Sequence, residues 1–145
     1  MTSTPATAPV QSPLNLMLKV KSGNLPALAA YLQAPATQVA LNSALTKVGT
    51  VHFARFLLVP NTNILFVLTE YDGDFSTYIT AFTTLVGDIF NALLAFMDPA
   101  PPLPVQKNQD AFQAFVLENN LKSGLYSAYP QCSVVNIWGN GCAQP

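Results

Sequence analysis

Two runs of β-forming residues, 51–59 and 64–71, flank the tetrapeptide PNTN, which favours a turn over a continuing strand. The pattern predicts an antiparallel hairpin. Both of its faces are apolar: Phe53 and Leu57 point one way, and Phe56 points the other. Strands of this kind require burial on both sides, and each buried Val, Leu, Ile or Phe contributes roughly 1.5–3 kcal/mol. We therefore expect helices on one face of the sheet and a second apolar surface on the other.

Charge is scarce. Only 9% of the 145 residues are charged, 6 basic and 7 acidic, against roughly 25% in an average domain. A net charge of −1 argues against nucleic-acid partners and against polybasic docking to membranes. Either Thr, Ser, Asn and Gln cover the surface, or apolar surface is hidden against a ligand or a second subunit. We expect a homodimer that forms through the open sheet face.

The order of predicted elements is β-α-β-β-α-β, which is typical of a ferredoxin-like plait. This α+β fold has a four-stranded antiparallel sheet with helices on one face. The predicted elements are a strand at 14–21, helical segments after Asn24 and Pro35 that end at Gly49, the hairpin, a helix at 75–97, a PAPPLP connector at 99–104, a short helix from Asp110 and a strand at 132–138.

The 23-residue stretch 75–97 is long enough to be tested as a membrane span. Its apolar residues recur every three or four positions, whereas Thr, Gly, Asp88 and Asn91 occupy the opposite side. No Lys or Arg flanks the stretch to anchor a cytoplasmic end. The pattern favours an amphipathic core helix, and we expect no membrane partner.

The chain is expected to form one domain over residues 14–138, with a flexible tail at 1–13 and a short tail at 139–145. No basic or apolar leader characteristic of secretion occurs in the first thirteen residues. A cytoplasmic location is expected, with Cys132 and Cys142 as reduced thiols. A disulfide that closes this C-terminal loop is the alternative.

His52 and Arg55, the only histidine and the only arginine, lie on the first hairpin strand. A symmetric turn gives a pairing sum of 122 or 123, which places His52 opposite Glu70 or Tyr71 and Arg55 opposite Val67 or Leu68. Paired with Glu70, His52 would be an oriented general base; a histidine held in the sheet by hydrogen bonds is the alternative. Because His52 and Arg55 are three positions apart on a strand, we expect them to point to opposite faces, so that only one of them can face any single pocket.

A lone guanidinium in a nearly uncharged strand needs a partner if it is buried. We expect Arg55 to form an ion pair with Asp72 or Asp74, or to anchor an anionic or carbonyl group of a ligand. Asp74 is placed to cap the helix that follows, which leaves Asp72 to orient Arg55, stabilise the loop or face a ligand. Too few oxygen ligands lie nearby in the sequence for a metal site.

Tyrosine hydroxyls at a pocket edge can hold polar ligand atoms. Tyr78, Tyr126 and Tyr129 are therefore candidate ligand-binding residues, with core packing as the alternative. Motifs for serine nucleophiles, dinucleotides and phosphoryl transfer do not occur in the sequence.

Three strings, VGTVHFARFLLVP (48–60), LTEYDGDFSTYITAF (68–82) and YSAYP (126–130), resemble a family of small, mostly uncharacterised bacterial proteins. The resemblance covers about residues 14–138. In element order the chain is also similar to the dimeric α+β-barrel superfamily. That superfamily includes cofactor-free monooxygenases of aromatic substrates, isomerases, polyketide cyclases and haem proteins related to chlorite dismutase.

The resemblance implies a homodimer that binds a small apolar or aromatic molecule, with an apolar pocket between sheet and helices. If the chain is an enzyme, His52 would remove a proton, and Arg55 or a tyrosine would stabilise the oxyanion. No cofactor is expected. The haem branch places its histidine ligand on or beside a helix, whereas His52 lies on a predicted strand. A non-catalytic interaction or assembly subunit, or a haem-binding peroxidase-related protein, is the alternative.

Overall fold

Three antiparallel strands form a single sheet in the computed structural model, which describes residues 8–139 and 141–142. β1 is Gln11–Lys19, β2 is Val51–Leu58 and β3 is Ile64–Asp72. The strand order is β1-β3-β2, so β3 lies in the centre and pairs with both neighbours. β1 begins at Gln11, three residues inside the segment expected to be a tail. The rest of that prediction, at residues 1–7, lies outside the described residues, as do positions 140 and 143–145 of the expected C-terminal tail.

The predicted hairpin between β2 and β3 is confirmed, and it contains both of the expected registers. Val51 pairs with Tyr71, a sum of 122, and from Phe53 onward the sum becomes 123. The change occurs because His52 is an extra residue in β2, a β-bulge with no Cα partner of its own. At the turn, Asn61 adopts a positive φ of 61°, a conformation that asparagine tolerates better than most residues.

Five α-helices and one 3-10 helix complete the described chain. The N-cap of the longest helix, α3 (Phe75–Leu94), is Asp74, whose side chain accepts a hydrogen bond from the Thr77 backbone N–H at 2.9 Å, as predicted. This bond lowers the pKa of Asp74 below its usual value. The elements are α1 (Leu25–Gln33), α2 (Pro35–Val48), α3 (Phe75–Leu94), the 3-10 helix (Val105–Lys107), α4 (Gln109–Glu118) and α5 (Val134–Trp138).

One face of the sheet packs against the helices to form the core. Alternate strand residues such as Leu16, Leu65 and Val67 are buried on this helix-covered face, together with Phe82 and Phe112 from α3 and α4. An 18-residue stretch of α3 has a mean hydropathy of 1.2, which is enough for a membrane span by composition. However, 50% of that stretch is buried inside the domain. A helix in the core of a packed domain can be equally long and apolar, and α3 is such a core helix.

The opposite face of the sheet, called the open face below, is covered by a described helix only at one end, where α5 meets the start of β2 and the end of β3. Phe53 is 69% exposed, Leu57 is 43% exposed and Met17 is 40% exposed. Phe66 and Leu68 of the central strand are half-buried between them. The sequence-based expectation that both faces are apolar is therefore confirmed, and one of them is open.

The prediction of a final strand at 132–138 is wrong, because Val134–Trp138 forms a helix, α5. Ser133 accepts a hydrogen bond from the Asn136 backbone N–H, and Asn136 in turn accepts one from Ser133, which makes a capping box. This reciprocal cap gives hydrogen-bond acceptors to backbone N–H groups at the start of the helix, which would otherwise be available to pair with a neighbouring strand. The apolar run of this segment predicts a strand, but the side chains of Ser133 and Asn136 cap a helical turn instead.

The described sheet consequently has three strands, and a short segment lies along the free edge of β1. The Met17 N–H donates to the Asn119 carbonyl at 3.0 Å, and the Leu121 N–H donates to the Asn15 carbonyl at 2.8 Å. Leu16 and Asn120 form an isolated antiparallel bridge. Residues 119–121 thus form hydrogen bonds with part of the β1 edge, at the position where a fourth strand would pair.

Cys132 and Cys142 form a disulfide, with their Cα atoms 5.3 Å apart. The prediction of two reduced thiols is therefore wrong. The sequence alone could not decide between the two states, because the expectation of reduced thiols depended on the assumed compartment rather than on geometry. The bond ties the C-terminal end of the described chain to the residue that precedes the α5 cap.

Candidate functional site

A groove of about 670 Å³ lies over one end of the open face. Its floor comes from the start of β2 and the end of β3, and its wall comes from the segment between α4 and α5 and from α5 itself. The groove contains five of the seven residues singled out by the sequence. The lining residues are Gln11, His52, Phe53, Arg55, Glu70, Leu125, Tyr126, Ser127, Ala128, Tyr129, Cys132 and Ile137.

The β-bulge at His52 brings the histidine and the arginine into the same groove. In a regular strand, positions 52 and 55 would face opposite sides. Because His52 is the extra residue, the alternation restarts at Phe53, and Arg55 follows it on the open face. The expectation that His52 and Arg55 cannot share a pocket is therefore wrong, since the spacing rule assumes an unbroken strand.

Asp72 is the partner of His52, in place of the expected Glu70. His52 Nε2 lies 2.6 Å from Asp72 Oδ1, and the two side chains are 10% and 9% exposed. The other oxygen of Asp72, Oδ2, accepts a buried hydrogen bond from the Val134 N–H at 2.7 Å. An ionised carboxylate only accepts hydrogen bonds, so it fixes the proton of a neutral His52 on Nε2 and leaves Nδ1 as the free acceptor.

Arg55 is exposed on the groove floor and forms no ion pair within the described part of the chain. The two carboxylates expected to hold it have other partners. Asp72 binds His52 and Val134, while Asp74 caps α3. The guanidinium is therefore available to a ligand.

Tyr126 and Tyr129 lie at the groove wall, 89% and 63% exposed. Tyr78, the third candidate, lies elsewhere: it is buried behind the sheet, where its ring stacks on Tyr71 with centroids 4.3 Å apart. Burial raises the pKa of the Tyr78 hydroxyl. The core-packing alternative therefore describes Tyr78, and the ligand-binding prediction can apply only to the other two.

The pocket expected between sheet and helices is nearly filled where the sheet packs against α3 and α4, and an open cleft remains beside α1 and α2. The space among Leu16, Val67 and Phe82 measures about 20 Å³, which is room for about one water molecule. A wider cleft of about 570 Å³ separates α1 and α2 from the outer edge of β2, but neither His52 nor Arg55 lines it. Large aromatic side chains occupy the interior, so the candidate site lies on the other face of the sheet.

Sequence reasoning missed Gln11, which fastens the groove wall to β1. Its Nε2 donates to the Tyr129 carbonyl at 3.0 Å and to the Cys132 carbonyl at 2.5 Å. Its Oε1 is buried and has no hydrogen-bond partner among the described residues. The alternation of β1 places Gln11 and Pro13 on one face of the sheet. This alternation could have identified Gln11 as a strand residue, but the sequence predicts a flexible tail over residues 1–13.

The described residues contain no group of three or more His, Cys, Asp or Glu side chains that could hold a metal ion. No protein-family model, curated protein or solved structure matches this chain.

Asp72→Ala should lower the free energy of unfolding by about 1–3 kcal/mol, because the buried Val134 N–H loses its acceptor. Denaturant unfolding measures this loss. The fluorescence of Trp138, the only tryptophan, should also change, since it reports the packing of α5.

Glu118→Ala is the matched control, because it removes an exposed carboxylate at the end of α4. Its effect should stay within about 0.5 kcal/mol. Equal effects of the two substitutions would contradict the assigned role of Asp72.

Proposed function

We propose that this chain binds a small apolar or aromatic molecule that carries an anionic or carbonyl group. The ligand lies in the groove over the open face, and Arg55 is its anchor. The observation that carries the proposal is the guanidinium of Arg55, which has no ion-pair partner among the described residues and lines the groove together with exposed aromatic side chains. A planar guanidinium pairs readily with carboxylate oxygens and also stacks on rings.

The aromatic side chains around Arg55 supply the apolar part of the site. Phe53, Tyr126 and Tyr129 are between 63% and 89% exposed, and Ile137 is 54% exposed. Exposed aromatic residues gathered in one concavity are typical of ligand or partner surfaces. An apolar ligand that covers these side chains would remove their apolar surface from water. This burial would stabilise the complex by about 25 cal/mol for each Å² buried.

Catalysis at the same site would use His52 as a general base. Asp72 orients the ring, and Nδ1 is the nitrogen left free to take a proton. Arg55 would then stabilise the oxyanion that remains on the substrate. This chemistry agrees with the cofactor-independent oxygenases, isomerases and cyclases that the sequence resemblance implies. Binding is the primary proposal, and proton abstraction is its extension.

The ferredoxin-like topology and the dimer belong to the same proposal. The proposal is supported by the strand order β1-β3-β2, which matches three of the four strands of such a plait, and by residues 119–121, which lie along β1 where a fourth strand would be. The far end of the open face remains apolar and exposed at Met17 and Leu57. A second copy related by a two-fold axis would cover this part of the face. The same surface supports the alternative function, a non-catalytic assembly subunit.

The binding proposal is tested with 2-naphthoate and its uncharged analogue 2-naphthamide. Arg55→Met should weaken 2-naphthoate binding by at least about tenfold, since hydrogen bonds to a charged group contribute roughly 1.5–3 kcal/mol. Binding of 2-naphthamide should change little. Isothermal titration calorimetry or NMR titration measures both affinities.

Lys19→Met is the matched control, because Lys19 is an exposed cation at the opposite end of the open face. It should leave both affinities unchanged. The binding proposal fails if 2-naphthoate does not bind, or if it binds equally well to the Arg55→Met variant.

The dimer is tested by Leu57→Glu, which places a charge at the centre of the proposed interface. Light scattering coupled to size-exclusion chromatography should find a dimer for the unmodified chain and a monomer for the variant, because burying an unpaired carboxylate is costly. Leu117→Glu, on an exposed position of α4, should remain dimeric. A monomeric unmodified chain at high concentration would contradict the proposal.

A further inference from the structure

Arg55 and Glu70 are opposite charges that face the same groove without pairing. In the β2–β3 register, Phe53 is opposite Glu70 and Arg55 is opposite Leu68. Arg55 and Glu70 are therefore diagonal neighbours on the open face, a relation that spans roughly 7–8 Å between Cα atoms. No nitrogen of Arg55 lies within 4.0 Å of a Glu70 oxygen in the described structure.

Gln11 extends this arrangement on the other side of Glu70. Pro13 is opposite Glu70 in the β1–β3 register, and Gln11 is opposite Asp72. Gln11 is thus the diagonal neighbour of Glu70 on the side away from Arg55. Its Oε1 has no donor among the described residues, and the atom is buried away from the groove surface. One end of the groove floor accordingly supplies the donors of Arg55, and the other end supplies the carboxylate of Glu70.

We propose that the ligand is a zwitterion, an α-amino acid with a large apolar or aromatic side chain. The inference depends on the proposed binding function and specifies its ligand class. The carboxylate of the amino acid pairs with Arg55, and its ammonium group pairs with Glu70. The side chain lies against Phe53, Tyr126 and Tyr129 at the groove wall.

Glu70 is the reason to prefer a zwitterion to a simple carboxylate. A ligand carboxylate bound to Arg55 would lie near the Glu70 carboxylate, and like charges at this separation repel. An adjacent ammonium group turns that repulsion into attraction. It also provides three donors, which the two oxygens of the Glu70 carboxylate can accept.

The test compares three probes: L-phenylalanine, 3-phenylpropionate, which lacks the ammonium group, and 2-phenylethylamine, which lacks the carboxylate. L-Phenylalanine should bind at least about tenfold more tightly than either fragment. Glu70→Gln should remove its advantage over 3-phenylpropionate without weakening the binding of 3-phenylpropionate. Glu118→Gln, an exposed carboxylate outside the groove, is the matched control and should preserve the advantage.

The outcomes separate this inference from the proposed function. If L-phenylalanine and 3-phenylpropionate bind the unmodified chain equally, or if 2-phenylethylamine binds more tightly than L-phenylalanine, the zwitterion is excluded while binding itself stands. If none of the three probes binds, the zwitterion is excluded, and if 2-naphthoate also fails, both proposals are overturned. The comparison of L-phenylalanine with its two fragments on the unmodified chain tests the zwitterion proposal even if the Glu70→Gln variant does not fold.

Discussion

The Asp72 carboxylate, at the end of the central strand, connects three parts of the structure. One oxygen holds the ring of His52, and the other accepts the buried N–H of Val134 at the start of α5. α5 and the segment before it form the wall of the groove, so the same side chain orients the candidate base and positions the wall. Hydrogen bonds to a charged acceptor are stronger than neutral ones. For this reason we regard Asp72 as the residue on which the site depends.

The β-bulge at His52 is the second requirement. It adds one residue to β2, which aims the His52 side chain towards Asp72 and keeps Phe53 and Arg55 on the open face. Bulges often redirect side chains near functional sites. Without the extra residue, a histidine three positions from an arginine would lie on the opposite face, and the groove would contain only one of them.

Much of the fold could be predicted from local patterns. The PNTN turn gave the hairpin within its two registers, and Asp74 was recognised as the cap of α3, because both depend on residues close together in sequence. The site was harder to predict, since the bulge at His52 and the Asp72–Val134 bond arise from tertiary contacts. The strand prediction at 132–138 depends on an apolar run, and a short run of this kind does not distinguish a strand from a helix.

The most direct test of the Asp72 link is the tautomer of His52, measured by two-bond ¹H–¹⁵N NMR correlations at a pH where the ring is neutral. The account predicts a single tautomer with the proton on Nε2, where Asp72 accepts it, and a mixture of tautomers in the Asp72→Ala variant. A proton on Nδ1 in the unmodified chain, or the same spectrum in both proteins, would contradict it.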